Sequence, residues 1–84
     1  MPVVGMNQLI VLSDGWVICG YVAKELRDYH YLVENASVIC RTGGTPWDDL
    51  CRGKGRDGAT FRKWDAVTIG PMFVLSREWE GSLP

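Results

Sequence analysis

The sequence has no long apolar run. None of its stretches of hydrophobic side chains exceeds four residues, Leu9-Ile10-Val11-Leu12 among them, whereas a helix crossing a bilayer needs roughly 20. A helical membrane span is excluded. The cationic start and the apolar stretch of about 7 to 15 residues that mark a secretory leader are also missing, so a cytoplasmic location is expected. Cysteine is sparse and odd in number: Cys19, Cys40 and Cys51 lie 21 and 11 residues apart, and His30 is the single histidine. Without a closely spaced Cys pair, neither a disulfide framework nor a zinc site is expected. Reduced thiols packed as small hydrophobes are, with no metal and no cofactor. Net charge is nearly absent too, −1 over 84 residues, which weighs against nonspecific nucleic-acid binding.

A chain of this length fits a single domain, residues 1–84, and excludes a two-domain enzyme. It buries only about 60 to 65% of the surface its unfolded form exposes, a thin core. Four Trp, three Tyr and two Phe supply much of the buried area, and self-association is a further remedy.

The present signals are mostly of β type. Residues 7–13 read as a strand, and Asp14-Gly15 is a hairpin signal leading into a second strand over residues 16–23. In that strand Trp16, Ile18, Gly20 and Val22 share one face while Val17, Cys19, Tyr21 and Ala23 share the other. Both faces are largely apolar, which asks for a barrel, a sandwich or a subunit interface. Residues 24–28 read as a charged turn, 29–34 as a third strand, Asn35-Ala36 as a turn and 37–42 as a fourth strand. Residues 66–70 and 72–76 form one or two more, broken at Gly70-Pro71. A short helix is expected from about residue 46 to 52, capped by Thr45, with Pro46 at its first position, Asp48 and Asp49 at its positive end and Gly53 as its stop. Trp47, Leu50 and Cys51 are expected to hold it down. The fold class is mainly β: a small five- or six-stranded antiparallel barrel, or a strongly bent sheet, with one short helix.

Charge is segregated within the near-neutral total. Residues 51–64 hold Arg52, Lys54, Arg56, Arg62 and Lys63 against Asp57, a local +4 that leaves −5 for the rest of the chain. Lys54 and Arg56 alternate with Gly53, Gly55 and Gly58, so backbone can approach a ligand while the cations reach its anionic oxygens, as phosphate requires. The same pattern also suits a solvated surface loop. Arg41 and Thr45 flank the helix start, where free N–H groups could receive an anion, although Asp48 and Asp49 already complement that end. Phe61, Trp64 and Trp47 are the candidate base-stacking side chains, with core packing as their ordinary alternative. Trp79, in a polar tail, is expected to lie across a neighbouring subunit. Nothing ties His30 to a nucleophile, and Asp48 and Asp49 diverge on a short helix, so no enzymatic activity is expected.

Two resemblances follow. Leu12-Ser13-Asp14-Gly15-Trp16-Val17-Ile18-Cys19-Gly20-Tyr21-Val22, followed by Tyr31-Leu32-Val33-Glu34-Asn35-Ala36, resembles the first motif of Sm-like small β-barrels, in which a Leu-x-Asp-Gly turn opens a bent strand. The base-binding Asn of those proteins has no counterpart between Asp28 and Leu32, and Val67-Thr68-Ile69-Gly70 lacks the Arg-Gly of their second motif. What this resemblance implies is the shape, and not the RNA site. From Gly15 to about Ile69 the chain is similar to small uncharacterised tailed-phage proteins, through Gly15-Trp16-Val17-Ile18-Cys19-Gly20, Asn35-Ala36-Ser37-Val38-Ile39-Cys40-Arg41 and Gly44-Thr45 before the helix. It departs from them in its basic segment 52–62. This resemblance implies a phage protein acting in the host bacterial cytoplasm.

The expected function is a non-catalytic phage-type binding protein, with counter-defence as its setting, that sequesters a small phosphorylated, nucleotide-like ligand at the basic Gly-rich loop as a homo-oligomer. Arg41, Thr45, Lys54, Arg56 and Arg62 would serve the phosphate, and Trp47, Phe61 and Trp64 the base. The alternatives are an inhibitor docking its basic loop on a host bacterial protein and, behind it, a nucleic-acid-binding small β-barrel.

Overall fold

The computed structural model describes residues 2–41, 44, 46–52 and 60–81, with Trp47 described by its backbone alone. Five strands, β1 (Asn7–Leu12), β2 (Val17–Arg27), β3 (His30–Arg41), β4 (Thr60–Ile69) and β5 (Phe73–Glu78), and one helix, α1 (Trp47–Cys51), make up the chain. The strands form one antiparallel sheet in the order β4-β3-β2-β1-β5.

That sheet is strongly bent. Residues 70–72 alone join the two edge strands, and a link of that length spans at most about 14 Å. In a flat sheet the edges of five strands stand about 19 Å apart. The rings of Tyr31 on β3 and Phe73 on β5 meet edge to face at 6.0 Å although β2 and β1 lie between their strands. Closure stops short of a barrel, because no ladder joins β4 to β5 among the described residues.

The bend has local causes. Asn35 in β3 (φ 49) and Asp65 in β4 (φ 66) take left-handed backbone where the β3–β4 register shifts, the signature of bulges that increase local twist. Facing this distortion on β2 is Gly20, where a Cβ would lie 2.5 Å from Val33 Cγ1, 2.9 Å from the Glu34 carbonyl oxygen and 3.1 Å from Ala36 Cα. The strands approach this closely only because Gly20 has no side chain.

Bending also explains the two apolar faces of β2. On one face Ile10, Ile18, Val22, Tyr31, Val33, Ala36, Val38 and Ile69 form a buried cluster inside the curve. On the other, Leu9, Val17, Cys19 and Ile39 are covered by Leu50 of α1 and by Trp79. The second face is thus closed by the chain itself. Trp79 is buried against its own sheet, and not across another subunit, because its backbone N–H donates to the Asn7 carbonyl (3.0 Å) and the Glu80 backbone N–H donates to the Cys51 carbonyl (2.7 Å).

Boundaries differ from the sequence reading, that of β4 among them, which begins at Thr60 and not near residue 66. Residues 24–27 continue β2 rather than turning, since Lys24, Glu25 and Arg27 pair with Leu32, Tyr31 and His30, and the turn falls at Asp28 and Tyr29 (φ 58). His30 Nδ1–H donates to the Asp28 carbonyl at 2.7 Å across that turn. Asn35-Ala36 is a bulge within one long strand, so the third and fourth expected strands are a single β3. Pro46 is the helix N-cap (φ −61, ψ 149) with no side-chain cap bond, and its carbonyl accepts from Asp49 and Leu50, both at 3.1 Å. Thr45 and Gly53, expected as cap and stop, lie outside the described residues.

Candidate binding site

Among the described side chains, the most exposed aromatic surface outside the hairpin tip is a tryptophan pair. Trp16 stands at the entry to β2, fixed by the turn before it: its N–H donates to Asp14 Oδ1 at 3.2 Å, its carbonyl accepts from Leu12 at 2.8 Å, and Gly15 takes φ 94. Trp64 is the residue of β4 skipped by the register between Lys63, paired with Ser37, and Asp65, paired with Ala36. A bulge of this kind re-aims a side chain. The two rings meet with centroids 5.2 Å apart and planes tilted by 43°, yet they remain 46% and 39% exposed.

Cavities flank the pair. One of about 260 Å³ lies among Leu12, Ile18, Val67 and Met72 with both tryptophans in its wall. Another of about 340 Å³ lies beside Trp16 against Val38, Ile39 and Cys40. Asp14 reaches the rim of both. Arg62 pairs with Val38, a member of the cluster inside the curve, so its side chain leaves β4 on the same face as that cluster. The arrangement supplies a flat apolar surface, a guanidinium on the same face and a carboxylate acceptor at the rim.

The sequence-predicted site residues are divided by this geometry. Trp64 and Arg62 belong to the face just described. Phe61 does not: it pairs with Ile39 and packs against the opposite cluster beneath α1, because strand alternation sends neighbours to opposite faces. Arg41 is exposed at the end of β3, paired with Thr60. Thr45, Lys54, Arg56 and the side chain of Trp47 lie outside the described residues. Trp16 was assigned from sequence only to a strand face; its partner stands 48 positions away, a separation that no local pattern reveals.

Elsewhere, a larger cavity of about 490 Å³ between α1 and β5 is lined by Asp48, Cys51, Arg52, Arg77, Glu78 and Glu80. Three carboxylates against two guanidiniums, with Arg77 paired to Asp48, make it a poor phosphate site. Among the thiols, Cys40 is exposed and Cys19 buried. Burial, with Cys51 as the lesser cause, pushes the Cys19 thiol up to about 12, so it behaves as a packed hydrophobe. Burial raises Cys51 as well, with Arg77 acting against it. No group of three or more potential metal ligands occurs among the described residues, and no helix among them is long and apolar enough to cross a membrane. No protein-family model and no curated protein sequence matches this chain.

Proposed function

We propose that this chain is a non-catalytic binding protein for a small phosphorylated, nucleotide-like ligand. The observation that carries this reading is the exposed Trp16–Trp64 pair at 5.2 Å, with Arg62 on the same face of the bent sheet. A base stacks on the indoles, an interaction worth about 1 to 3 kcal/mol per base. Phosphate oxygens are met by Arg62 and by Lys54 and Arg56 of the basic segment, a stretch whose local charge over residues 51–64 is +4. Asp14 accepts from a ribose hydroxyl or a base amino group. Self-association is part of the proposal: β4 and β5 are unpaired sheet edges among the described residues, and such edges accept a further strand from another copy. The resemblance to tailed-phage proteins supplies the setting, sequestration of a host nucleotide signal in the bacterial cytoplasm.

Mass spectrometry of small molecules retained by protein purified from cells with active nucleotide signalling tests this directly. A retained phosphorylated compound, lost from the Trp64→Ala protein, is the expected result. Protein that emerges empty, from cells shown to contain such signals, counts against it.

The charge segregation favours a second reading, in which the basic segment docks on an acidic host protein. That reading predicts salt-sensitive capture abolished by alanine at Arg52, Lys54 and Arg56 and indifferent to Trp64→Ala.

A further inference from the structure

On the opposite face of the sheet from the tryptophan pair, a cavity of about 360 Å³ opens between Asn7, Asn35, Ser37, Lys63 and Trp79, with Gly81 at its edge. We propose that it binds a small solute through an oxyanion, a carboxylate or a phosphate. Every polar side chain in this wall carries a donor: two amides, a hydroxyl, an ammonium and an indole N–H. No carboxylate lines it, which sets the sign of the ligand against a cation.

Trp79 supplies the independent observation. It is 7% exposed, and its Nε1–H is the one buried side-chain polar atom without a partner among the described residues. A buried indole N–H ordinarily finds an acceptor, and the residue that carries this orphan is part of the cavity wall. Ser37, 5% exposed, stands in the same wall. Lys63 has Asp65 as counterion at 4.0 Å, but both side chains are largely in solvent (66% and 86% exposed). A pair so loose is weakly held and leaves the ammonium able to turn to a ligand. An oxyanion offers acceptors only and so matches a wall whose polar side chains all carry donors. The site is independent of the nucleotide reading, since the Trp16–Trp64 face contributes none of its residues.

The test uses the ¹⁵N-labelled full chain and follows its indole N–H resonances. These are assigned through Trp16→Phe, Trp47→Phe and Trp64→Phe, so that no substitution at buried Trp79 is needed. Sodium phosphate and sodium acetate are titrated against sodium chloride at matched ionic strength. The Trp79 resonance is expected to move saturably with phosphate or acetate while those of Trp16 and Trp64 stay in place, and the tighter of the two ions names the ligand class. Ser37→Ala should raise the apparent Kd about tenfold, and Lys63→Met about threefold. A Trp79 resonance that stays still, or that follows chloride equally, overturns the proposal. So does an apparent Kd unchanged in both variants.

Discussion

Replacing Gly20 by alanine probes the contact that lets β2 follow the bend of β3. The added Cβ would sit 2.5 Å from Val33 Cγ1, 2.9 Å from the Glu34 carbonyl oxygen and 3.1 Å from Ala36 Cα. Val33 can rotate only within a filled cluster, since it is fully buried, and the other two neighbours are backbone atoms held by the β3–β4 ladder. Overpacking of this kind costs about 1 to 3 kcal/mol. Stiffening of the unfolded chain acts in the opposite direction by about 0.4 to 1 kcal/mol, so the net expectation is a loss of roughly 1 to 2 kcal/mol. For a domain of this size each kcal/mol moves Tm by about 4 to 8 °C. Thermal melts followed by circular dichroism should therefore show Gly20→Ala lowered by roughly 5 to 15 °C. A melt within a degree of the parent would refute the reasoning, because it would mean that β2 and β3 do not approach as closely as the bulge at Asn35 requires.

Other outcomes follow from the second face and from the tryptophan pair. Leu50→Ala, at a side chain 2% exposed that closes the second cluster, should cost about 2 to 5 kcal/mol in urea unfolding; a change below 1 kcal/mol would show that α1 does not cover the sheet. The Cys19 thiol, at about 12 against an ordinary 9.0, stays neutral in the folded chain while the unfolded chain ionises it. Its contribution to stability is therefore complete below pH 9 and lost as pH rises through about 12. The urea midpoint should fall as pH rises above about 9, and less steeply in Cys19→Ala; equal slopes would contradict this. Iodoacetamide should label exposed Cys40 first and Cys19 last in native protein, as peptide mass mapping would report.

Much of the β architecture is legible in the residues. The Asp14-Gly15 turn and the alternation of β1 and β2 follow from period-2 patterning, and the two apolar faces of β2 do require cover on both sides. The form of that cover was not legible, because it comes from Leu50 and Trp79, 31 and 60 positions beyond Cys19. The charged stretch 24–27 looks like a turn because its side chains are exposed, and only pairing with β3 makes it strand. Asn35 favours left-handed backbone equally in a turn or a bulge, and the choice is decided by a neighbouring strand. From sequence the basic segment 51–64 reads as one charged, Gly-containing unit, yet β4 begins at Thr60, and its alternation separates Phe61 from Arg62. Trp64 is a candidate on local grounds, whereas its contact with Trp16 has no local signal, because the two lie 48 positions apart.

Isothermal titration with cyclic di- and trinucleotides and ADP-ribose derivatives tests the central claim most directly, comparing the parent chain with Trp16→Ala, Trp64→Ala and the double variant. The account predicts saturable heat with at least one of these ligands, weakened about 5- to 100-fold by each single substitution and undetectable in the double. No heat at tens of micromolar protein, or heat that the double variant retains in full, would contradict it.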